Sequence, residues 1–322
     1  MSKPVCVFLD RDSIDCNDLD FSSLQQATEL VTLAQCTSEQ IVDKAGAAEI
    51  IIVNKVIIGD AQFAALPKLK LVCVIATGTN NVDLESATRH GVVVCNVRDY
   101  AAASVSQHVF MLILALTTRF LDYQSDIRSG AWQAQTQFCL LSHPMQELKG
   151  KTLGLIGYGH IAQAVERIAL AFGMQVLVGQ SPRKGAGPVA GRIALDELFE
   201  RSDVISLHCP LSEDTRNLVA RPQFERMKRN AIIINTARGG IINEVDLLKA
   251  LSEGLIAGAG IDCLVKEPPS DDDPMITSDL KNLIVTPHNA WGTLEARQRL
   301  LDGTVANIVE FGNGQTPNRV NP

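Results

Sequence analysis

Short runs of apolar, often β-branched residues alternate with longer amphipathic segments along the whole chain. The first part contains four predicted strands, Val5–Leu9, Ile50–Val53, Leu71–Ile75 and Val92–Cys95. The second part contains six, Thr152–Ile156, Gln175–Val178, Val204–Leu207, Ala231–Asn235, Gly258–Ile261 and Leu283–Val285. Predicted helices lie between them, namely Asp60–Leu66, Leu84–His90, Ile161–Phe172, Leu195–Arg201 and Glu244–Glu253. Continuous apolar strands that alternate with helices are typical of parallel sheets covered on both faces. The pattern therefore predicts an α/β protein with two doubly wound, Rossmann-like domains.

Two longer helical patterns stand apart from this alternation. Ser104–Phe120 is rich in apolar residues and contains neither Gly nor Pro, and Glu295–Phe311 is followed by Gly312. No strand is predicted after the second of these helices. We therefore expect the C-terminal helix to pack back on the first domain.

Composition and charge narrow the range of functions. The chain has 322 residues, 46% of them hydrophobic and 20% charged, with a net charge of −7. This composition is ordinary for a folded enzyme, and a diffuse acidic balance argues against nucleic acid or an anionic membrane as partner. The run Val109–Leu116 is far shorter than the roughly 20 residues that span a bilayer. Because charged residues interrupt the first apolar run at Asp10, no signal peptide is expected, and we expect a cytoplasmic protein.

The eight cysteines form no CxxC pair and show no metal-ligand spacing. Cys6, Cys73 and Cys95 lie inside predicted strands. Buried free thiols of a reducing compartment are the expected interpretation, and no metal is predicted.

A dinucleotide-binding fingerprint follows the strand Thr152–Ile156. The segment 157–162 reads Gly-Tyr-Gly-His-Ile-Ala and leads directly into a predicted helix. In this setting Gly157 permits the tight turn, Gly159 lets the backbone approach a pyrophosphate, and Ala162 allows close packing of helix on strand. The helix N-terminus offers unpaired N–H groups to the phosphates. The order strand, glycines, helix is more telling than the glycines alone, because a chain with 23 glycines produces such spacings by chance.

The end of the next strand predicts the choice of cofactor. A carboxylate there would hold the ribose 2′-hydroxyl, but the positions are Gly179 and Gln180, followed by Ser181, Arg183 and Lys184. A neutral residue followed by Ser and Arg is compatible with a 2′-phosphate. We therefore expect NAD(H) or NADP(H), with NADPH accepted.

Three further segments follow predicted strands, where open α/β sheets place their ligands. Arg238 precedes two glycines and is suited to a two-bond grip on a carboxylate. Glu267 lies in the segment Asp262–Pro269, and His288 lies in Pro287–Trp291. A histidine beside a carboxylate is the usual proton donor and acceptor near neutral pH. Taken singly, these residues could equally be a surface ion pair, a loop carboxylate and a core histidine.

Together with the segments Ala76–Asp83 and His208–Leu211, these motifs resemble the D-isomer-specific 2-hydroxyacid dehydrogenases over essentially the whole length of the chain. The resemblance implies a discontinuous substrate domain, about 1–101 plus 292–322. It also implies an inserted dinucleotide-binding domain, 102–291. Family members suggest a homodimer formed through the cofactor domains, with segment Arg119–Phe138 as its arm.

The resemblance also implies roles for individual residues. His288 would protonate the keto oxygen of the substrate, and Glu267 would orient the imidazole and stabilise its charged form. Arg238 would hold the substrate carboxylate and polarise the carbonyl, with backbone N–H groups at Thr77 and Gly78 completing the carboxylate site. The implied cofactor contacts are Val105, Gly157, Gly159, His160, Ile161, Gln180, Ser181, Arg183, Cys209, Pro210, Thr215, Thr236, Ala237, Arg238, Asp262, His288 and Ala290.

Within the family the likeness is strongest to bacterial glycerate dehydrogenases, also called hydroxypyruvate reductases. It rests on Asn54-Lys55-Val56, Ala76–Asp83, Asn96–Tyr100 and His288–Gly292. Asn54 and Lys55 end a predicted strand and could recognise the extra hydroxyl of hydroxypyruvate; the alternative is a solvent-exposed loop pair. The nearest alternatives are reduction of glyoxylate or of a bulkier 2-keto acid. Formate oxidation needs no proton donor, so the pair His288–Glu267 argues against it. A dinucleotide-sensing corepressor, a binding protein on the same fold, would favour long disordered tails, which this chain lacks.

Overall fold

The computed structural model describes residues 3–322, which form two compact units. The first unit combines residues 3–101 with the C-terminal segment 292–322, and the second comprises residues 102–291. Each unit is built on its own parallel β-sheet with its own helices. Two parallel-sheet α/β domains are thus present, as the strand pattern predicted.

The first unit contains a five-stranded sheet in the order β2-β1-β3-β4-β5. Its strands are β1 (Val5–Phe8), β2 (Glu29–Thr32), β3 (Ile50–Val53), β4 (Leu71–Val74) and β5 (Val93–Cys95). Its helices are α1 (Ser22–Ala27), α2 (Ile41–Ala45), α3 (Asp60–Ala65), α4 (Leu84–Arg89) and, from the C-terminal segment, α12 (Leu294–Gly312). Two 3-10 turns, Arg11–Ser13 and Ser38–Gln40, complete it. Because β3 and β4 are buried along their whole length, they read as continuous apolar runs in the sequence.

Helix α12 packs against β4 and α1. Thr293 starts it as the N-cap, since its hydroxyl accepts a hydrogen bond from the Ala296 N–H. Arg297 binds both carboxylate oxygens of Asp18 and is thereby held against the first unit. Asn321 then accepts from the Val94 N–H at 2.8 Å and donates to the Val92 carbonyl, which fastens the end of the chain to β5.

The second unit contains a six-stranded sheet in the order β11-β10-β9-β8-β6-β7. Its strands are β6 (Thr152–Ile156), β7 (Gln175–Val178), β8 (Val204–Leu207), β9 (Ile232–Asn235), β10 (Gly258–Ile261) and β11 (Leu283–Val285). Its helices are α5 (Ala102–Thr117), α6 (Phe120–Arg128), α7 (His160–Ala171), α8 (Leu195–Arg201), α9 (Arg221–Arg226), α10 (Glu244–Ser252) and α11 (Pro274–Thr277). The chain reverses its direction of travel across the sheet between β6 and β8, and such switch points are where open α/β sheets bind ligands.

The apolar segment expected as one helix over Ser104–Phe120 is interrupted. Helix α5 ends at Thr117, Arg119 adopts a left-handed φ of 55°, and α6 begins at Phe120. Within residues 3–322, no single helix is long and apolar enough to cross a membrane. Helices α5 and α6 meet that test only jointly, and they are bent by 59° at the break between them.

Candidate active site

Arg238, Glu267 and His288 follow the carboxyl ends of three adjacent strands. Strand β10 pairs with β9 on one side and with β11 on the other. Arg238 comes three residues after the end of β9, and His288 three residues after the end of β11. Glu267 lies in the loop that follows the central strand. The sheet therefore brings three segments that are distant in sequence to one edge of the second unit.

The Arg238 turn is shaped by the buried side chain of Asn235. The Asn235 amide donates to the Arg238 carbonyl at 2.9 Å and accepts from the Ala237 N–H at 3.1 Å. Arg238 itself is exposed, and its Nη1 donates to the Ala237 carbonyl at 2.7 Å. A rigid turn thus presents a positively charged guanidinium at the strand edge.

Gly239 brings this turn into direct contact with the next loop. A Cβ atom at position 239 would lie 1.9 Å from the Leu264 carbonyl oxygen, so every other residue would force the two backbones apart. On the same loop, the Leu264 N–H donates to Glu267 Oε1 at 2.9 Å. The close approach at Gly239 therefore packs the Arg238 turn against the loop that orients Glu267.

His288 and Glu267 form a side-chain pair. The His288 Nδ1 atom lies 2.7 Å from Glu267 Oε2, and the two side chains are 30% and 36% exposed. The second ring nitrogen of a histidine held in this way remains available for proton exchange with a reactant.

The backbone at His288 is left-handed, with φ of 51°. Non-glycine residues seldom adopt this region, and they keep it where surrounding contacts hold them there. The His288 N–H donates to the Thr286 carbonyl at 2.9 Å, and the Trp291 indole donates to the His288 carbonyl at 2.9 Å.

Asp262, the first residue after β10, fixes the loop that carries His288. Its carboxylate is 1% exposed and accepts from the Thr286 hydroxyl at 2.6 Å and from the N–H groups of Asn289 and Ala290 at 3.0 Å each. His108 on α5 contacts the Thr286 hydroxyl, which lies 3.0 Å from its Nε2. Burial lowers the pKa of His108, although the nearby Asp262 charge opposes this. Sequence reasoning assigned Asp262 to the nicotinamide end and missed this loop-holding contact.

The glycine fingerprint has the shape that a dinucleotide requires. Gly157 adopts φ of +87°, and a Cβ there would lie 2.6 Å from the backbone of His208, after β8. By contrast, a Cβ at Gly159 would meet nothing within 4 Å, so open space lies above the helix entrance. Helix α7 begins at His160 with Gly159 as its N-cap. This arrangement fits a pyrophosphate bound at the helix N-terminus.

The predicted nicotinamide end contains one unsatisfied polar atom. The Thr236 hydroxyl is buried and has no hydrogen-bond partner among residues 3–322. Buried polar atoms are rarely left without a partner, so this oxygen fits the presence of a bound polar group such as a carboxamide. Ala290, also predicted here, is buried, and its carbonyl accepts from the Ser104 hydroxyl at 2.6 Å. The adjacent residue Val105 is buried as well.

Of the residues predicted at the adenosine side of the cofactor, Thr215 already forms hydrogen bonds within the protein. The Thr215 hydroxyl donates to the Pro210 carbonyl and accepts from the Ser212 N–H, each at 2.7 Å, so it closes its own turn. Cys209 is buried, and burial raises the pKa of its thiol to about 11. Burial also lowers the pKa of the neighbouring His208 to about 4, which keeps that imidazole neutral near pH 7.

Gln180 binds a neighbouring loop through both ends of its amide. Its Nε2 donates to the carbonyls of Val189 and Arg192, and its Oε1 accepts from the Val189 N–H at 3.0 Å. This contact brings Arg192 to the fingerprint, where its guanidinium lies 5.7 Å from the centre of the Tyr158 ring. Sequence analysis missed Arg192, because it lies beyond a Gly- and Pro-rich loop and no spacing rule connects it to the glycines.

Ser181 and Arg183 lie on the segment that leaves β7. The Arg183 N–H donates to the Ser181 hydroxyl at 3.3 Å, and the Arg183 side chain is exposed. Lys184 is drawn to Asp214, which accepts from the Lys184 N–H at 3.0 Å. Of the basic residues here, Arg183 and Arg192 are therefore the ones best suited to contribute positive charge toward a ligand.

The remaining predicted residues belong to the first unit. The buried carboxylate of Asp10 accepts from the N–H groups of Asn54 at 2.9 Å and Lys55 at 2.7 Å. The Asn54 amide donates to the Ser13 hydroxyl at 3.0 Å, so this side chain is engaged inside the unit. Lys55 lines a cavity of about 410 Å³ beside Asp10.

Thr77 and Gly78 follow β4 in the same unit. The Thr77 hydroxyl donates to the Val97 carbonyl at 2.9 Å, and the Asn96 amide donates to the Thr77 carbonyl at 2.7 Å. These two contacts tie the segment after β4 to the segment after β5.

Comparison with known proteins identifies the family. The family described as D-isomer specific 2-hydroxyacid dehydrogenase, NAD binding domain, matches residues 110–290. The chain belongs to the D-isomer-specific 2-hydroxyacid dehydrogenases. A glycerate dehydrogenase of Methylorubrum extorquens is 42% identical over 320 residues, which cover 99% of both chains. A hydroxypyruvate reductase of Blautia hydrogenotrophica is 36% identical, with 98% of this chain and 99% of the relative covered.

A solved structure of an acyclic imino acid reductase in complex with NADPH and D-Arg is similar to this family member throughout. It is 27% identical, with a TM-score of 0.84, and the match covers 98% of this chain and 100% of that one. The family assignment and the fit of the glycine fingerprint together make this chain a nicotinamide-dependent oxidoreductase.

Proposed function

We propose that this dehydrogenase reduces hydroxypyruvate to D-glycerate. The observation that carries the chemistry is the pair His288–Glu267, 2.7 Å apart, on a loop held by the buried Asp262 carboxylate. The similarity to a glycerate dehydrogenase and a hydroxypyruvate reductase over nearly the full length supports the substrate. A similar glyoxylate reductase, 37% identical over 80% of this chain, makes glyoxylate the second candidate.

In the proposed mechanism, one set of residues transfers the proton and another binds the substrate. A bound reduced nicotinamide supplies the hydride that the carbonyl carbon receives. His288 gives the keto oxygen its proton, while the Glu267 carboxylate orients the imidazole and balances its positive charge. Arg238 binds the substrate carboxylate through two parallel hydrogen bonds. The contributions of Asn54, Lys55, Thr77 and Gly78 to substrate binding stay predictions.

A substrate panel tests this proposal. Hydroxypyruvate, glyoxylate, pyruvate and phenylpyruvate are each offered with NADH and with NADPH, and kcat/KM is compared. We expect the highest value for hydroxypyruvate. A higher value for glyoxylate would replace the proposed substrate, and cofactor binding without any turnover would favour a dinucleotide-sensing binding protein.

His288→Ala tests the proton donor in the same assay. Loss of a placed general acid costs roughly 10²–10⁴ in kcat, while cofactor affinity, measured by fluorescence titration, stays within a few fold. His90→Ala is the matched control, because His90 lies 3.3 Å from the Asp60 carboxylate but is far from this site in sequence and belongs to the first unit. Equal turnover in the two variants would remove His288 from the mechanism.

We propose further that NADPH is used at least as well as NADH. The position that commonly holds an acidic residue in this family is Gln180, whose amide is committed to the loop that carries Arg192. A charge-assisted hydrogen bond from Arg192 or Arg183 to a 2′-phosphate contributes about 1.5–3 kcal/mol, which is about one to two powers of ten in affinity.

Substitutions of these residues distinguish two effects on NADPH affinity, that of the local charge and that of the loop structure. Arg192→Ala and Arg183→Ala should each weaken NADPH more than NADH, and more strongly at low salt. Gln180→Asp should disfavour NADPH by adding negative charge, whereas Gln180→Ala removes the same loop contacts without that charge. A preference of the unaltered protein for NADH above about a hundredfold would contradict the proposal.

Finally, we propose that segment Arg119–Phe138 mediates a homodimer. Within this segment Phe138 is 91% exposed, and Phe120 and Trp132 are exposed as well. Large apolar side chains exposed within one segment are the kind of surface that protein–protein interfaces commonly bury. Sedimentation equilibrium should give twice the chain mass, and Phe138→Asp should shift the protein toward monomer; a monomeric unaltered protein would contradict this assignment.

A further inference from the structure

A cysteine lies beside the proposed proton-donor pair His288–Glu267. Cys263 directly follows Asp262 at the end of β10 and is 2% exposed. One ligand atom each from Cys263, Glu267 and His288 lie within 4.8 Å of one another. No linear spacing reveals this cluster, because the histidine comes from β11 and the other two residues follow β10. Nothing in the proposed reduction uses the Cys263 sulfur.

This set of donors is suited to a borderline or soft divalent cation. Zn²⁺ binds thiolate sulfur, imidazole nitrogen and carboxylate oxygen in tetrahedral geometry. The metal–ligand lengths of such a site place its donor atoms roughly 3.5 Å apart. Side-chain movements of about 1 Å therefore bring the three donors into place. Mg²⁺ and Ca²⁺ prefer sites made of oxygen ligands, so a thiolate disfavours them.

The three side chains of the cluster differ in their exposure to solvent. The Cys263 side chain is buried, while Glu267 and His288 are 36% and 30% exposed. An ion approaching from solvent therefore meets the carboxylate and the imidazole before the sulfur, and its binding replaces the 2.7 Å contact between His288 Nδ1 and Glu267 Oε2. Three protein ligands leave the fourth tetrahedral position for water.

We propose that Cys263, Glu267 and His288 form an inhibitory binding site for Zn²⁺ and its softer analogue Cd²⁺. On binding, the Cys263 S–H bond is replaced by a sulfur–metal bond, and the thiol proton passes to solvent. The imidazole lone pair and one carboxylate oxygen complete the protein ligands, and no electron is transferred. The two negative ligands balance the charge of the cation. Because binding releases a proton, affinity decreases as the pH falls.

The inhibition rests on the proposed function, because the metal removes the proton donor His288 and its partner. Binding itself does not depend on which substrate is reduced. The two claims are therefore tested by separate measurements on the full-length protein.

Binding is measured by titrating the protein with Cd²⁺ and following the ultraviolet thiolate-to-cadmium charge-transfer band. Cys263→Val should remove the tight component of this band and lower the apparent affinity at least about 10²-fold. Cys36→Ser is the matched control, because Cys36 lines a cavity with Asp10 and Asp12 but without a histidine. Equal titrations of unaltered protein and Cys263→Val would overturn the site. If Cys263→Val does not fold, Cys263→Ser keeps the side-chain size and replaces the sulfur by a much weaker ligand.

Inhibition is measured with Zn²⁺ and reversed with a chelator. The unaltered enzyme should lose turnover at Zn²⁺ concentrations that leave Cys263→Val active, while Mg²⁺ at the same concentration inhibits neither. Equal inhibition of both proteins would overturn the inhibitory role. If the Cd²⁺ band depends on Cys263 but no 2-keto acid is reduced, the metal site stands and the proposed function fails.

Discussion

Asp262→Asn tests whether the loop that carries His288 is set by a buried carboxylate. The carboxylate accepts three hydrogen bonds, from the Thr286 hydroxyl and the N–H groups of Asn289 and Ala290. An asparagine of the same shape keeps one oxygen, so its NH₂ group must face one of these donors. One charge-assisted bond, worth about 1.5–3 kcal/mol, is lost, and a buried donor is left unsatisfied.

We expect the free energy of unfolding to fall by about 2–3 kcal/mol. At roughly 2–4 °C per kcal/mol for a domain of this size, Tm falls by about 4–12 °C. We expect the effect on catalysis to arise from geometry, because a left-handed backbone such as that of His288, with φ of 51°, is kept by surrounding contacts. A displacement of about 1 Å costs roughly 10²-fold in rate, so kcat should fall by about that factor.

The assay measures kcat and KM for hydroxypyruvate beside a thermal melt of the same sample. Thr286→Val is the control, because it removes the neutral hydroxyl that contacts Asp262 and His108 and leaves the carboxylate to hold the two N–H groups. It should lower kcat and Tm by less. A lower Tm with unchanged kcat would refute the reasoning, since Asp262 would then stabilise the fold without positioning His288.

Three further substitutions have definite expected outcomes. Arg238→Lys should raise KM and lower kcat for the keto acid, because an ammonium group cannot reproduce the planar two-bond grip; unchanged kinetics would exclude Arg238 from the substrate site. Glu267→Gln should lower turnover, because the His288 imidazole loses the carboxylate that orients it and balances its positive charge; unchanged turnover would mean that the pair is not coupled in catalysis. Asp10→Asn should raise KM for hydroxypyruvate more than for pyruvate, since the Lys55 loop loses an acceptor; an equal effect on both substrates in steady-state assays would count against recognition by this loop.

The sequence predicted the sheets of both units because their inner strands are buried on both faces and read as uninterrupted apolar runs. The strand β2 was missed, since Glu29–Thr32 lies at the sheet edge and is mostly exposed, and it therefore lacks that signal. The break between α5 and α6 was missed because its left-handed residue is Arg119, without a Gly or Pro to mark it. Strands with an apolar run were thus predictable even at the sheet edges, as β5, β7 and β11 show, whereas an exposed edge strand and a helix break without Gly or Pro carry no local signal.

The residues of the candidate site likewise include some that the sequence predicted and some that it did not. Arg238, Glu267 and His288 were predicted from their place after three apolar strands, which the structure shows to be neighbours in one sheet. Their roles in catalysis stay predictions. The contacts of Arg192 and Cys263 could not be predicted, because each depends on two loops that meet only in the folded unit. Their residue types carry no spacing rule, and a Cys next to a strand reads as an ordinary buried thiol.

The two units hold their loops by the same local device. Asp10 and Asp262 each follow a strand, and each accepts backbone N–H groups from the loop after a neighbouring parallel strand, β3 and β11 respectively. A carboxylate can accept several N–H groups at once and makes stronger hydrogen bonds than a neutral acceptor. Loops at the carboxyl edge of a parallel sheet have no ladder to satisfy their N–H groups, so a buried acid in this position supplies the missing acceptors. The rigidity of the proposed active site therefore arises from acidic residues whose contribution is to the shape of a neighbouring loop.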